Sequence, residues 1–206
     1  VIAVYRVLYD LPSLGYLRPS EVWRGITSRV PTEHTEASEG PRLLWRLESP
    51  TELLVQYPVR PDPTWLLPGA RSRPKAFAMQ QLMDSLAAGQ RWDFVLAANT
   101  VRRSTGRARA RQAQAQRVSA REWLTGETDV DADSGTSRAY QSGFRVLAIA
   151  ETTQRRGGPR QAHLVRITGR LEVEDTEALQ AALEEGIGRG KAQGAGMLSL
   201  SPLPRG

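Results

Sequence analysis

The order of strand-like and helix-like patterns in the first hundred residues constrains this chain more than any other feature. Residues 2–9, IAVYRVLY, are rich in β-branched and aromatic side chains and predict a strand. In residues 19–30, Val22, Ile26 and Val30 recur every four residues, an apolar stripe on a helix that Ser20 would cap and Pro31 would end. Residues 42–48 and 52–57 are strand-like runs broken by Ser49 and Pro50, the pattern of a hairpin. Pro58, Pro61, Pro63, Pro68 and Pro74 make residues 58–74 an irregular loop. Residues 76–87 predict a helix with Phe77, Leu82, Met83 and Leu86 turned inward, ended by Gly89, and residues 91–98 predict a strand. Strand, helix, two strands, helix, strand is the ferredoxin-like unit.

The second half repeats that order more loosely. A strand is expected from Asn99 to Arg103, a helix from Ser119 to Leu124, and strands at 144–150 and 162–173 joined by a turn at Gly157-Gly158. A helix capped by Asp175 follows to Glu185, then a short strand from Met197 to Leu200. Residues 126–142 are acidic and rich in Gly and Ser, the composition of a loop. The fold expected is α+β, two tandem ferredoxin-like (RRM-like) domains, with boundaries 1–98 and 99–206. The same sheet is the scaffold of the RRM, which binds single-stranded RNA.

Composition removes several function classes. There is no cysteine, so disulfides and thiolate metal sites are excluded. His34 and His163 are the only histidines, too few for a structural zinc site, and neither a metal nor a cofactor is expected. No apolar run approaches the ~20 residues of a membrane span. Val1 to Tyr9 lacks the apolar core of a signal peptide. A cytoplasmic protein with no membrane partner is expected.

The formal net charge is +6, and most of the excess lies beyond residue 100. A GC-rich genome accounts for the bulk excess of arginine as readily as a polyanionic partner does, but not for its clustering. Residues 102–117 hold Arg102, Arg103, Arg107, Arg109, Arg111 and Arg117 with no acidic residue, mostly spaced by Ala, Gln, Ser or Gly. Such a segment suits RNA phosphates and orders on binding; the alternative is a solvated loop. Arg155, Arg156 and Arg160 form a second basic projection at the turn.

Residues 186–202 read GIGRGKAQGAGMLSLSP. Gly186, Gly188, Gly190, Gly194 and Gly196 surround Arg189 and Lys191, and closely spaced glycines let backbone N–H groups form a concave anion nest. The loop follows a helix, so the dipole end it meets is negative and the two cations must supply any anion affinity. The alternative is that Gly186 caps the helix and the rest is a turn.

The whole string closely resembles the C-terminal signature of the CasE family, the CRISPR RNA endoribonucleases of type I-E Cascade. That signature runs G-x-G-x-x-K-A-x-G-x-G-x-L-S-[LV]-x-P. Residues 43–48, residues 53–56 with Pro61, Asp62 and Trp65 after them, and residues 169–175 resemble the family in the same order. The resemblance implies the tandem ferredoxin-like fold and, as partners, the repeat RNA hairpin of pre-crRNA and crRNA and other Cascade subunits. It also implies metal-independent cleavage, in which a 2′-hydroxyl attacks the adjacent phosphate to leave a 2′,3′-cyclic phosphate, with retention of the product.

The family's histidine lies on the first helix in a motif resembling P-Y-E-x-H-R. Here Pro19, Glu21 and Arg24 match, while Ser20 stands at the tyrosine position and Trp23 at the histidine position. An indole N–H is a donor only and takes no proton. His34 is the nearest substitute, ahead of Tyr9 and Tyr16, and Lys191 would stabilise phosphate charge; Arg24 is a further RNA-binding candidate. Trp23 is otherwise a base-stacking or core residue, and His163 a packing residue. A non-catalytic subunit that holds the guide RNA is therefore the second reading. A general RRM-like module would need an RNP-type aromatic run, which is absent. A purely structural protein leaves the Gly/Lys loop and the arginine segment unexplained.

Overall fold

The computed structural model describes residues 4–12, 17–35, 40–102, 116–126, 137–154 and 164–204. Two four-stranded antiparallel sheets carry the chain. The first is built from β1 (Tyr5–Asp10), β2 (Leu44–Leu47), β3 (Glu52–Tyr57) and β4 (Lys75–Ala78), ordered β2-β3-β1-β4. The helix α1 (Pro19–Thr27) covers one face, followed by the short α2 (Thr32–Thr35). The cap of α1 is Arg18 rather than Ser20: Pro19 takes the first helical position, and Glu21 accepts the Arg18 N–H at 2.6 Å. Alternation places Val7, Tyr9, Trp45, Leu47, Leu53, Val55 and Tyr57 on the covered face, where Val22, Ile26 and Val30 meet them.

Two sequence expectations for this half are corrected. Residues 75–78 form the fourth strand, so Phe77 lies on an edge strand and is 48% exposed instead of turned into a helical core. Only α3 (Gln80–Ser85) is helical in the stretch 76–87. Where a ferredoxin-like unit has its second helix, the proline-rich loop runs instead, and Trp65, Leu66, Leu67 and Ala70 pack against the core from it.

The strand β5 (Arg91–Ala98) does not close the first unit. It opens the second, pairing with β9 (Leu164–Val173) on one side and β10 (Leu198–Pro202) on the other. The sheet order is β10-β5-β9-β8, with β8 spanning Phe144–Gln154. This is the connectivity of the first sheet repeated, so the boundary between the units falls between β4 and β5 and not at residue 98. The helices α4 (Ala120–Thr125), α5 (Arg138–Gln141) and α6 (Thr176–Glu185) complete the second core around Phe94, Leu96, Phe144, Ile167, Leu171, Leu179 and Leu183. Asp175 caps α6 as expected, accepting the Glu177 N–H at 2.9 Å. A two-stranded ribbon, β6 (Val101–Arg102) and β7 (Gln116–Arg117), leaves the second unit. Among the described residues no helix is long and apolar enough to cross a membrane.

The helix-free faces of the two sheets meet through buried polar groups. Arg6 of β1 donates to Gln56 Oε1 at 2.9 Å, to Ser199 Oγ at 3.0 Å and to the Leu198 carbonyl at 2.6 Å. Arg46 of β2 donates to the carbonyls of Val95 at 3.0 Å and Met197 at 2.9 Å and to Ser199 Oγ at 3.0 Å. Glu48 accepts from Arg46 and, at 2.8 Å, from Arg166 of β9. Burial and the neighbouring Arg46 push the Arg6 guanidinium below its ordinary value. Burial opposes ionisation of Glu48, but the charge of Arg46 and the hydrogen bonds from Arg166 and Arg46 hold its carboxyl below the usual range.

Candidate nucleic-acid interface

The glycine-rich loop is a closed structure. Gly186 ends α6, donating to the Ala182 carbonyl at 3.0 Å. Ile187 N–H bonds Gly196 O at 2.8 Å, and Gly196 N–H bonds Ala97 O of β5 at 2.7 Å, so both ends of the loop are tied to one point on the second sheet. The close approach that glycine allows is used mostly inside the protein. A Cβ on Gly188 would lie 2.7 Å from the Trp123 ring, and one on Gly194 would lie 3.1 Å from the Trp45 ring. Gly186 and Gly196 abut the loop's own backbone in the same way. Packing thus takes up the space at Gly186, Gly188, Gly194 and Gly196, while Gly190 lies at the rim of the loop with Arg189 exposed beside it.

This packing has a measurable consequence. Gly188 and Gly190 both have positive φ, 78° and 91°, yet a Cβ on Gly190 would have its nearest neighbour at 3.4 Å. Gly188→Ala is expected to lose about 2–5 kcal/mol, combining a left-handed penalty of ~1–2 with overpacking of ~1–3. Gly190→Ala should lose only the first part. Equal unfolding midpoints for the two variants would contradict the packing role of Trp123.

Lys191 opens a single 3₁₀ turn, Lys191–Gln193, that packs against both α1 and β2. Its Nζ donates to the Gly188 carbonyl at 3.0 Å. Burial and the nearby Arg42 lower the pKa of this amine, while Glu185 works the other way. The loop thus sets a half-buried cation beside the helix that carries Ser20, Trp23 and Arg24. Ser20 and Arg24 are exposed there. Trp23 is half-buried against the first core, and its carbonyl accepts from Thr27 Oγ1 at 3.0 Å.

The remaining candidates divide. His34 on α2 sits half-buried with its ring 5.4 Å from Trp65 and tilted by 50°. No hydrogen bond or ring contact among the described residues joins it to Lys191. Tyr9 is buried, and its hydroxyl is shared with Tyr57 at 2.8 Å. Burial raises its pKa against the hydrogen bonds from Tyr57 and Leu67, which removes it as a proton acceptor near neutrality. Arg117 is exposed at the end of β7. The side chain of Arg102 lies outside the described residues, as do Tyr16, Arg103, Arg107, Arg109, Arg111, Arg155, Arg156, Arg160 and His163. No group of carboxylates and histidines among the described residues has the arrangement of a metal site.

Sequence reasoning missed Arg42 and Asn99. Asn99 follows β5 directly, close to Gly190, with its Oδ1 buried and unpartnered among the described residues. Its position immediately after an apolar strand and before the arginine segment was the available signal.

Comparison with known proteins agrees with the geometry. A family model described as "CRISPR associated protein" matches residues 17–202. The CRISPR-associated endoribonuclease Cse3 of Thermus thermophilus is 31% identical over 209 residues, spanning 89% of this chain and 90% of the relative. The structure of Thermus thermophilus Cse3 bound to an RNA representing a pre-cleavage complex superposes with a TM-score of 0.72 at 29% identity, covering 98% of this chain and 100% of the other. Cas6e from Escherichia coli K-12, at 19% identity and a TM-score of 0.58, shares the fold over 98% of this chain and 100% of its own. By the breadth of the family match and the identity to Cse3, this chain belongs to the CasE family of CRISPR-associated proteins.

Proposed function

We propose that the chain is a guide-RNA processing subunit that binds the hairpin of a CRISPR repeat, cuts beside it without a metal and retains the product within a Cascade-type assembly. The 2′-oxygen attacks the adjacent phosphorus while its proton passes to a base. The P–O5′ bond then breaks, and the leaving O5′ takes a proton from an acid, giving a 2′,3′-cyclic phosphate and a 5′-hydroxyl. The observation that carries this reading is the docking of the signature loop against α1, which brings Lys191 to the helix where the family resemblance places the chemistry. Lys191 neutralises charge on the non-bridging phosphate oxygens as the five-coordinate state forms. Arg24, Arg189 and the arginines of 102–117 and 155–160 hold the stem, each phosphate contact steepening the salt dependence by about 0.9 in log–log slope.

His34 serves as the proton acceptor, since Trp23 has only a donor and Tyr9 is buried. Trp23 favours a second reading, a subunit that holds the hairpin without cutting it. Incubation of the repeat hairpin with excess chelator separates the two. Slow cutting that ends in a cyclic phosphate is expected, reduced about 10²-fold or more in His34→Ala. Lys191→Ala should slow cutting while hairpin binding persists. Tight, salt-sensitive binding by the wild type with no product would establish the holding role instead.

A further inference from the structure

The strand β4 is an edge of the first sheet, and all four of its residues are exposed. Lys75 and Phe77 lie opposite Leu8 and Arg6 of β1. They therefore share the face from which Arg6 reaches Ser199 and Leu198 of the second unit. Arg71 and Arg73 precede them, both exposed, and the Arg71 N–H is anchored to the Asp10 carbonyl at 2.8 Å. Among the described residues none of these three cations makes an ion pair. Charged side chains on an edge strand block edge-to-edge pairing, which accounts for Lys75. They do not account for Phe77, because a large exposed aromatic at 48% on the same edge works against that protection.

An aromatic face among unpaired cations is the combination that binds single-stranded nucleic acid, with bases stacked on the ring and phosphates on the cations. We propose that Arg71, Arg73, Lys75 and Phe77 form a track for the single-stranded RNA that flanks the repeat hairpin, separate from the stem contacts. This rests on the RNA-binding reading above, and the experiment keeps the two apart.

The full chain is titrated with three RNAs: the bare repeat hairpin, the hairpin with a single-stranded extension, and an unstructured oligouridylate. Wild type should bind the extended hairpin more tightly than the bare one. Phe77→Ala should weaken the extended hairpin about tenfold, the contribution of one stacked base, and leave the bare hairpin unchanged. The combined Arg71→Ala, Arg73→Ala and Lys75→Ala variant should lower the log–log salt slope on oligouridylate by about 2, at ~0.7 per phosphate contact. These side chains are exposed, so a thermal melt like that of wild type confirms the fold. Variants that bind all three RNAs as wild type does, or that weaken the bare hairpin as much as the extended one, overturn the track. A wild type that binds the hairpin but no single strand also overturns it and leaves the proposed function standing. Binding of the single strand alone would sink the hairpin reading and keep the track.

Discussion

Glu48→Gln is expected to destabilise the whole chain by about 3–5 kcal/mol, the range for breaking a buried charge pair on one side. Glu48 is the carboxylate that answers Arg46 and Arg166, and the side chain of Arg46 is only 3% exposed. Arg6 is buried next to Arg46 and adds a third guanidinium. Glutamine keeps the shape of Glu48 but leaves these cations, Arg46 the most buried of them, without their counter-charge. The two units are expected to unfold together in one transition, because β1 and β2 complete their hydrogen bonds on β5 and β10. Acid gives an independent reading. The folded carboxyl titrates below its ordinary value, so its stabilisation is complete above about pH 4.3 and is lost as pH falls through the lower folded pKa. Wild type should lose more stability along that limb than Glu48→Gln, which keeps only the contributions of other paired carboxylates such as Glu172. Unfolding free energies for the two proteins within about 0.5 kcal/mol at neutral pH would show that the junction does not depend on this charge.

Trp23→His is the second large effect, and it is a gain. An imidazole in place of the indole supplies a group that exchanges protons near neutrality, and restoring a general acid or base raises rates by about 10²–10⁴-fold. The gained cleavage should persist when Trp23→His is combined with His34→Ala, because the new imidazole takes over the proton transfer. The packing lost from a half-buried tryptophan is worth ~1–3 kcal/mol, so the assay belongs well below the variant's melting temperature. An unchanged rate in a folded variant would place residue 23 away from the scissile phosphate and return Trp23 to the core.

The two half-folds differed in how clearly they could be read. The hairpin of β2 and β3, the stripe on α1 and the cap of α6 follow from short-range patterns, and the structure keeps them. Residues 75–78 were obscured because Ala, Phe and Met beside a helical run match a helix as well as a strand. The strand at 91–98 is legible in its apolar pattern, but local pattern carries no information about which sheet a strand joins. Arg6 and Arg46 fall on the alternate face of apolar strands, where charge ordinarily signals solvent. Nothing near them in sequence indicates that a second sheet covers that face. The glycine signature was legible as a motif, yet its spacing serves Trp123 and Trp45, whose positions only the folded chain supplies.

The junction between the sheets also bears on synthesis. Arg6 finds Leu198 and Ser199 more than 190 residues after itself, and Arg46 waits about 150 residues for Met197 and Ser199. While the chain emerges from the ribosome, the first sheet can form from its own strands but cannot cover this face. What it shows the solvent in that interval includes guanidinium groups as well as leucines. A surface that is covered in the folded chain is thus partly charged in the nascent one, and charge on an uncovered sheet face opposes association until β10 arrives.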